Sequence, residues 1–191
     1  MVEFLIDHYG LSPQEAVDFD SLFSSKSLRK GARFHQAGEV CDQVGYLEEG
    51  ILKCVYVRGE QEVVDEFVFP GALVTCYQSF ITNKPSRKAI VAISDSQLRV
   101  ANKKDIEALA AEQAFVESLS RKITEQHFVA VHDKLERLRL EDATTRYLNL
   151  LQQAPERVLL LPQYELASYL NVSPETLSRI RRRLASQRAF S

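Results

Sequence analysis

The spacing of apolar residues changes along the chain and predicts two kinds of structure. Up to about residue 102, short segments in which apolar and polar residues partly alternate are separated by glycines, a pattern typical of β-strands joined by turns. From Asp105 onward, apolar residues recur at every third or fourth position, which predicts helices. The sequence therefore predicts an α+β protein whose strands lie in its first half.

The glycine-rich stretch predicts a small domain of two packed sheets. Six of the seven glycines lie in Gly31–Gly71 and supply the turns between short strands. The strands are rich in β-branched and aromatic residues, and we predict them at 44–47, 51–57, 63–69, 89–93 and 98–100. Before them, the capping box Ser12–Glu15 opens a short helix through Phe23. We predict a double-sheet jelly roll over about 27–102, within an N-terminal domain of residues 1–104.

The middle of the chain predicts one long helix. No Gly or Pro occurs between Ser86 and Ala154, so long helices are allowed, and we predict a helix over 105–140. This helix is apolar on more than one side, and the chain after it is too small to cover it, which favours packing against the same helix of a second copy. The predicted dimer-interface residues are Leu119, Ile123, Val131 and Leu135. The alternative is one helix buried within a monomer.

The last domain, predicted at 141–191, ends in two short helices broken by a tight turn. A helix over 143–153 comes first, and 158–161 is a small strand or connector. Asn171 falls at the turn, where a residue that tolerates a left-handed backbone is needed. Ser173 and Pro174 then begin the second helix as its N-cap and first helical residue. This order predicts a helix-turn-helix, and we expect Phe190 to pack at the tail.

The second helix of this pair has an apolar face and a polar face. Leu177, Ile180 and Leu184 form a buried stripe, whereas Glu175 and Arg179 lie one turn apart on the outward side. An arginine can bind the O6/N7 edge of guanine, and a glutamate can accept a hydrogen bond from the cytosine amino group. We predict that the bases are contacted by Glu175, Ser178 and Arg179, and the phosphates by Ser173, Thr176, Arg182 and Arg183. The alternative is a solvated helix with an ordinary Glu–Arg ion pair.

Charge is distributed in a way that supports DNA binding. The whole chain has a net charge of −2, which argues against a general nucleic-acid binder. From Glu136 to the end, however, there are nine Lys and Arg against six Asp and Glu, and five of these arginines follow Glu175. The positive charge is therefore concentrated at the predicted recognition helix.

Several other kinds of chemistry are not predicted by the sequence. The three cysteines, Cys41, Cys54 and Cys76, are widely spaced and form no C-x-x-C, and no histidine stands at ligand spacing from them, so we expect no disulfide, metal or other cofactor. We find no nucleophile–base pair and no phosphate-cradling glycine loop, so we do not expect an enzyme. The acidic N-terminus and the lack of a long apolar run predict a cytoplasmic protein without a membrane partner.

The C-terminal motifs resemble the helix-turn-helix of the Crp/Fnr superfamily of bacterial transcription regulators. The segment Glu175–Arg179 is similar to the Fnr-like recognition helix, in which Glu and Arg contact bases. The spacing of Ala167, Asn171 and Leu177 matches the superfamily pattern, and 143–147 and 166–170 resemble a short-chain branch. The resemblance implies an N-terminal sensor domain, a long dimerisation helix and a C-terminal winged helix-turn-helix.

The N-terminal glycine motifs resemble the cyclic-nucleotide-binding domain of the same superfamily; they are Lys30–Glu39, Tyr46–Gly50, Gly59 and Pro70–Gly71. In that family, Phe-Gly-Glu follows Pro-Gly, and a later Arg, Ser or Thr, and Ala help to cradle the cyclic phosphate and ribose. Here Thr75 and Cys76 stand where Gly and Glu belong, and Lys88 follows Arg87 in place of Ser or Thr. Losing the carboxylate removes the ribose acceptor, and Thr75 narrows the approach, so we predict that cyclic AMP is not the ligand. These four positions remain the candidate effector-binding residues.

These patterns together predict a homodimeric, sequence-specific DNA-binding transcription regulator. Its partners would be a palindromic DNA operator and, if it activates transcription, RNA polymerase. A ligand or partner at the N-terminal domain would modulate it. The alternative is a small-ligand binding module whose helix-turn-helix no longer reads DNA.

Overall fold

The computed structural model describes residues 1–59, 61–153 and 155–188. The chain divides into two compact units, an N-terminal unit, Met1–His127, and a C-terminal unit, Phe128–Ser191. Among the described residues, every strand belongs to the N-terminal unit. None of the helices in the described ranges is both long and apolar enough to cross a membrane.

The described residues of the N-terminal unit form eight strands, with helices before, between and after them. Its elements are α1 (Val2–Tyr9), α2 (Pro13–Asp20), β1 (Ser24–Leu28), β2 (Arg33–His35), β3 (Gln43–Glu49), β4 (Leu52–Arg58), β5 (Gln61–Val68), β6 (Ala72–Val74), α3 (Tyr77–Thr82), β7 (Lys88–Ala92), β8 (Ser96–Asn102), α4 (Lys103–Glu112) and the first part of α5 (Phe115–Leu140). The five strands that the sequence predicted correspond to β3, β4, β5, β7 and β8.

The strands form two four-stranded antiparallel sheets, in the orders β1-β8-β3-β6 and β2-β7-β4-β5. The predicted double-sheet jelly roll is therefore confirmed. Alternate residues of the two sheets point inward and form one core, which includes Leu47, Leu52, Ile90 and Leu98. The turn before β4 requires glycine, because Gly50 has φ +90° and a Cβ there would collide with Ser96.

The helices of the N-terminal unit form a second core. The capping box predicted at Ser12–Glu15 is present: Ser12 Oγ accepts from the Glu15 amide at 3.3 Å, and a Glu15 carboxylate oxygen accepts from the Ser12 amide at 2.8 Å. The helix that it opens ends at Asp20, earlier than the predicted Phe23. The buried residues of this second core include Leu5, Phe19, Phe23, Val116 and Leu119.

The single long helix predicted over 105–140 is wrong, because the structure has two helices there. Helix α4 ends at Glu112, Gln113 is extended with φ −134° and ψ 112°, and α5 begins at Phe115. The first turns of α5 bury Val116 and Leu119 in the same core as α1 and α2. The helix is therefore interrupted at Gln113, where no glycine or proline would predict a break, and the residues that follow pack into the core.

The described part of the C-terminal unit consists of helices and turns. After α5 come α6 (Ala143–Gln153), α7 (Pro155–Leu159), α8 (Gln163–Tyr169) and α9 (Pro174–Arg188). The strand or connector predicted at 158–161 is instead the end of α7 and a turn, and the described residues from 128 onward include no strand that could form the predicted wing. The core of this unit includes Tyr147, Val158, Leu166, Leu170 and Leu177. The expected packing of Phe190 lies outside the described residues.

Candidate functional site

Helices α8 and α9 form the helix-turn-helix that the sequence predicted. Helix α8 ends at Tyr169, and Asn171 in the turn has φ +55°, the left-handed conformation expected for it. The Thr176 amide donates to Ser173 Oγ at 3.2 Å, so Ser173 caps α9 and Pro174 is its first residue. Local sequence signals therefore determine where the second helix begins.

Helix α9 presents the two faces that its apolar spacing predicted. Leu177 and Ile180 are buried, whereas Glu175, Arg179 and Arg182 are exposed. Ser178 and Leu184 are partly exposed. Because the exposed residues follow one another at intervals of three or four positions, they lie along one side of the helix. This polar stripe is the surface that could enter a major groove.

Side-chain hydrogen bonds order the start of the polar stripe. Arg179 Nη2 donates to Thr176 Oγ1 at 3.1 Å, and Ser173 Oγ lies 3.2 Å from the same oxygen. A hydrogen bond with Ser173, and then its own backbone and the charge of Arg179, lower the pKa of Glu175. Glu175 is therefore an ionised carboxylate at neutral pH and can only accept hydrogen bonds, which suits a cytosine amino group.

Helix α6 holds the helix-turn-helix through arginines that the sequence did not single out for this role. Arg181 Nε donates to the Tyr147 hydroxyl at 3.0 Å, and its guanidinium lies 5.6 Å from the centre of that ring. Arg146 Nη2 donates at 2.9 Å to the carbonyl of Leu170, the C-cap residue of α8. For residues 143–147 the sequence predicts a helix and a family resemblance but not this contact, because a contact between separate helices leaves no local pattern.

The predicted phosphate contact Arg183 is also engaged with α6. Its Nη2 atom donates to Thr144 Oγ1 at 2.9 Å. Both side chains are exposed enough that the hydrogen bond lies at the surface, and a phosphate could accept from the remaining donors of the guanidinium. Arg182 is exposed, and its backbone carbonyl accepts from Ser186 Oγ at 3.1 Å.

The predicted dimer-interface residues divide between different environments. Val131 and Leu135 are 48% and 45% exposed, large fractions for apolar side chains in the interior of a long helix. Phe128 and Leu138 extend the same stripe and are also exposed. Ile123 is partly buried. Leu119 is only 1% exposed and belongs to the second core of the N-terminal unit, so its side chain has almost no surface that a partner could contact.

The four candidate effector residues do not converge on one open site. Lys88 Nζ pairs with an Asp65 carboxylate oxygen at 2.7 Å and lies 4.8 Å from the Tyr56 ring centre. Burial alone would lower the pKa of Lys88, but its bond to Asp65 and that carboxylate's charge raise the pKa. Arg87 is exposed. Lys88 is therefore a charged group that already has a counterion.

Thr75 and Cys76 are likewise engaged within the protein. The Thr75 hydroxyl donates to the Gln43 carbonyl at 2.9 Å. Cys76 is only 4% exposed, and its amide donates to Cys41 Sγ at 3.4 Å. Neither residue offers the carboxylate or the open backbone approach that a cyclic nucleotide would need.

A cavity of about 200 Å³ lies beside Thr75, between the jelly roll and the first part of α5. Its walls are mainly apolar and include Phe19, Phe80 and Ile123, with Thr75 and His127 among the polar groups. Cys76, Arg87 and Lys88 do not line it. Burial, and then the positive charge of Lys88, lower the pKa of His127, so this imidazole is neutral at neutral pH. The cavity suits an apolar ligand better than a phosphate.

A cluster of one histidine and two cysteines, which their spacing in the sequence did not predict, lies at another part of the jelly roll. One ring nitrogen of His35 and the sulfurs of Cys41 and Cys76 lie within 4.8 Å of one another. The pKa of Cys41 is lowered, chiefly because the Cys76 thiol donates a hydrogen bond to its sulfur, and that bond and burial raise the pKa of Cys76. Positions 35, 41 and 76 match no ligand motif, because the fold brings together the end of β2, the loop before β3 and the N-cap of α3.

Comparison with known proteins agrees with this architecture. Residues 25–113 match the family model of the cyclic nucleotide-binding domain. No curated protein matches the chain significantly. Similar solved structures include FixK2 from Bradyrhizobium japonicum, with 20% identity over 86% of this chain and 85% of that chain and a TM-score of 0.75.

Two further solved structures are similar over most of their length. The catabolite activator protein of Thermus thermophilus is 22% identical over 96% of this chain and 87% of that chain, with a TM-score of 0.60. The c-di-GMP responsive global regulator CLP of Xanthomonas campestris is 13% identical over 92% of this chain and 93% of that chain, with a TM-score of 0.69. At such identities the likeness concerns the fold. Residues 25–113 are therefore similar to a cyclic nucleotide-binding domain, and most of the chain shares its fold with these solved structures.

Proposed function

We propose that this protein is a homodimeric transcription regulator that binds a specific, palindromic DNA sequence. The observation that carries the proposal is the exposed polar stripe of α9, on the second helix of a helix-turn-helix. Ser173 caps the start of α9. One side of the helix is buried through Leu177 and Ile180, and the opposite side exposes Glu175 and Arg179. A recognition helix needs this combination of rigid packing and outward hydrogen-bonding groups.

The roles within α9 follow from the chemistry of its side chains. Arg179 would bind the O6/N7 edge of a guanine, and the ionised Glu175 would accept from a cytosine amino group, with Ser178 beside them on the bases. Ser173, Thr176, Arg182 and Arg183 would hold phosphates. The phosphate contacts would supply most of the affinity, and the base contacts the sequence preference.

Dimerisation through α5 would place two recognition helices on the same DNA. Phe128, Val131, Leu135 and Leu138 follow one another at intervals of three, four and three residues, the spacing of a two-helix seam, and all are exposed in the protomer. A two-fold axis along this seam would present one α9 to each of two successive major grooves. The operator would then have two inverted half-sites.

The N-terminal unit would act as the sensor. The cavity of about 200 Å³ is mainly apolar, so we infer an effector that is largely apolar and carries few polar groups. Cyclic AMP is not expected, because Lys88 is paired with Asp65 and Cys76 is buried against Cys41. An effector would shift an existing equilibrium between conformations of the dimer, in the cytoplasm where bacterial DNA lies. RNA polymerase would be a further partner if the protein activates transcription.

Selection of bound DNA from a random pool tests the proposal. We expect the purified protein to enrich one sequence with inverted repeats, whose half-site centres lie about one helical turn, or a multiple of it, apart. Gel shifts with the enriched duplex and with a scrambled duplex of equal length then measure the preference at several salt concentrations. Enrichment of no sequence, with only salt-sensitive binding to every duplex, would contradict the proposal and favour a ligand-binding module that does not read DNA.

A further inference from the structure

We propose that His35, Cys41 and Cys76 form a binding site for one thiophilic d10 metal ion, Zn²⁺ or Cu⁺, inside the jelly roll. The three residues come from the end of β2, the loop before β3, and the position that precedes α3. All three are buried. The site belongs to the N-terminal unit and does not depend on whether the protein binds DNA.

The distances suit a single ion. One His35 ring nitrogen and the two sulfurs all lie within 4.8 Å of one another. Around a tetrahedral zinc, with Zn–S of about 2.3 Å and Zn–N of about 2.0 Å, neighbouring ligand atoms are about 3.5–3.8 Å apart. The three groups therefore need only a small contraction to share one ion, well within what side-chain torsions allow.

The state of His35 is the second observation that points to a ligand. Its side chain is largely removed from solvent, with the residue only 8% exposed, and its Nε2 atom is buried without a hydrogen-bond partner among the residues that the structure describes. A buried polar atom in this state is costly unless water or an ion satisfies it. A metal ion bound at Nε2 would satisfy this nitrogen, because imidazole nitrogen is a metal ligand.

The ligand set selects the class of ion. Two thiolates and one imidazole are soft or borderline donors, which bind zinc and Cu⁺ and disfavour Mg²⁺ or Ca²⁺. Three protein ligands leave a fourth position for water on zinc, and Cu⁺ is satisfied by three ligands. The Cys76 amide donates to Cys41 Sγ at 3.4 Å and is therefore placed to orient this thiolate.

An ion could reach the site from the surface. A cavity of about 290 Å³ is lined by His35 and Cys41 together with polar neighbours such as Gln36, Glu39 and Asp42. The carboxylates at its edge would attract a cation. Bound metal would link the end of β2 and the following loop to the segment before α3, which lies 35 residues after Cys41 in the sequence.

The test uses the full-length protein, reduced and freed of metal with a chelator. Zn²⁺ is titrated in competition with a chromogenic chelator, Cu⁺ is titrated anaerobically in the same way, and Co²⁺ serves as a spectroscopic probe. We expect one ion per chain, a thiolate-to-cobalt charge-transfer band, and a higher melting temperature with metal. The preferred ion is the one that remains bound to the protein in competition with the chelator of higher affinity.

Variants separate this site from adventitious binding. His35→Gln, Cys41→Ser and Cys76→Ser should each weaken binding by at least about 100-fold, since even a lost outer-shell partner costs about 10- to 100-fold. The matched control is Cys54→Ala, which removes the third buried cysteine and should leave the stoichiometry and the cobalt band unchanged. Circular dichroism verifies that each variant is folded, and the wild-type cobalt spectrum decides the question if a serine variant does not fold.

Several results would overturn the proposal. Wild-type protein that binds none of the three ions would do so, as would binding that survives His35→Gln and Cys41→Ser, or binding that Cys54→Ala abolishes. Mass spectrometry of air-exposed protein provides one further test. If Cys41 and Cys76 form a disulfide in air and the reduced protein binds no metal, the pair would be assigned to redox chemistry instead.

Discussion

Glu175 and Arg179 have the exposure and the charge that base reading requires. We predict that Glu175→Ala and Arg179→Ala each lower operator affinity by about 10- to 100-fold per half-site, because each removes a hydrogen-bonding group from a base edge. Sequence preference should relax at the base pair that each residue reads. Gel shifts with the selected operator and with its single-base variants measure both effects.

Two other positions on α9 provide controls for these variants. Ser186 lies near the end of α9, so Ser186→Ala should leave the affinity for the operator unchanged. Arg182→Ala should weaken binding to all sequences about equally and reduce the dependence of log K on log salt by about 0.9, as expected for one lost phosphate contact. Unchanged affinity and selectivity in both the Glu175 and Arg179 variants would mean that α9 does not dock as proposed.

The turn between α8 and α9 illustrates how one backbone angle orients two helices. Asn171 has φ +55°, a region that costs most residues with a Cβ about 1 kcal/mol or more. We therefore predict that Asn171→Ala lowers the free energy of unfolding of the C-terminal unit by about 1 kcal/mol, whereas Asn171→Gly changes it little. Denaturant titration followed by circular dichroism makes the comparison. Equal stability of the alanine and glycine variants would show that this turn can relax to another conformation.

The long helix α5 exposes apolar side chains that an isolated protomer does not cover. We predict that Val131→Glu yields a monomer, because the new charge would be buried beside its own symmetry mate, at a cost of several kcal/mol. Operator affinity should fall steeply, since one half-site supplies only part of the binding energy, while weak and strongly salt-dependent DNA binding should persist. Sedimentation velocity and gel shifts measure the two consequences.

Val129→Glu is the matched control for this helix. Val129 is exposed on the same turn but stands away from the stripe formed by Phe128, Val131, Leu135 and Leu138. Its glutamate variant should remain dimeric and bind the operator normally. A folded Val131→Glu dimer with normal operator binding would move the interface to another surface.

The fold of a cyclic nucleotide-binding domain does not by itself preserve the nucleotide site. Lys88 is paired with Asp65 at 2.7 Å, and Cys76 occupies a buried position beside Cys41. We predict no binding of cyclic AMP at micromolar concentration, because the buried Cys76 cannot accept a ribose hydroxyl as a carboxylate would, and a phosphate would have to compete with Asp65 for Lys88. Isothermal titration calorimetry is the measurement. A saturable isotherm with one ligand per protomer would contradict this, and Arg87→Ala would then test whether that arginine holds the phosphate.

Local patterns were sufficient for much of the architecture. The capping box at Ser12, the left-handed Asn171 and the N-cap Ser173 each depend on residues within four positions, so their hydrogen bonds and backbone angles can be inferred without knowledge of the rest of the chain. Five of the eight described strands, the two faces of α9 and the helix over 143–153 follow from periodicity for the same reason, whereas β1, β2 and β6 were not predicted.

Features that depend on contacts between distant segments could not be inferred in this way. The break at Gln113 and the burial of Leu119 arise where α5 packs on α1 and α2, and no glycine or proline marks them. The Lys88–Asp65 pair and the convergence of His35, Cys41 and Cys76 depend on which strands pair and in what register. Periodicity specifies which face of an element is buried, but it does not specify what that face will meet; packing between elements determines the partner.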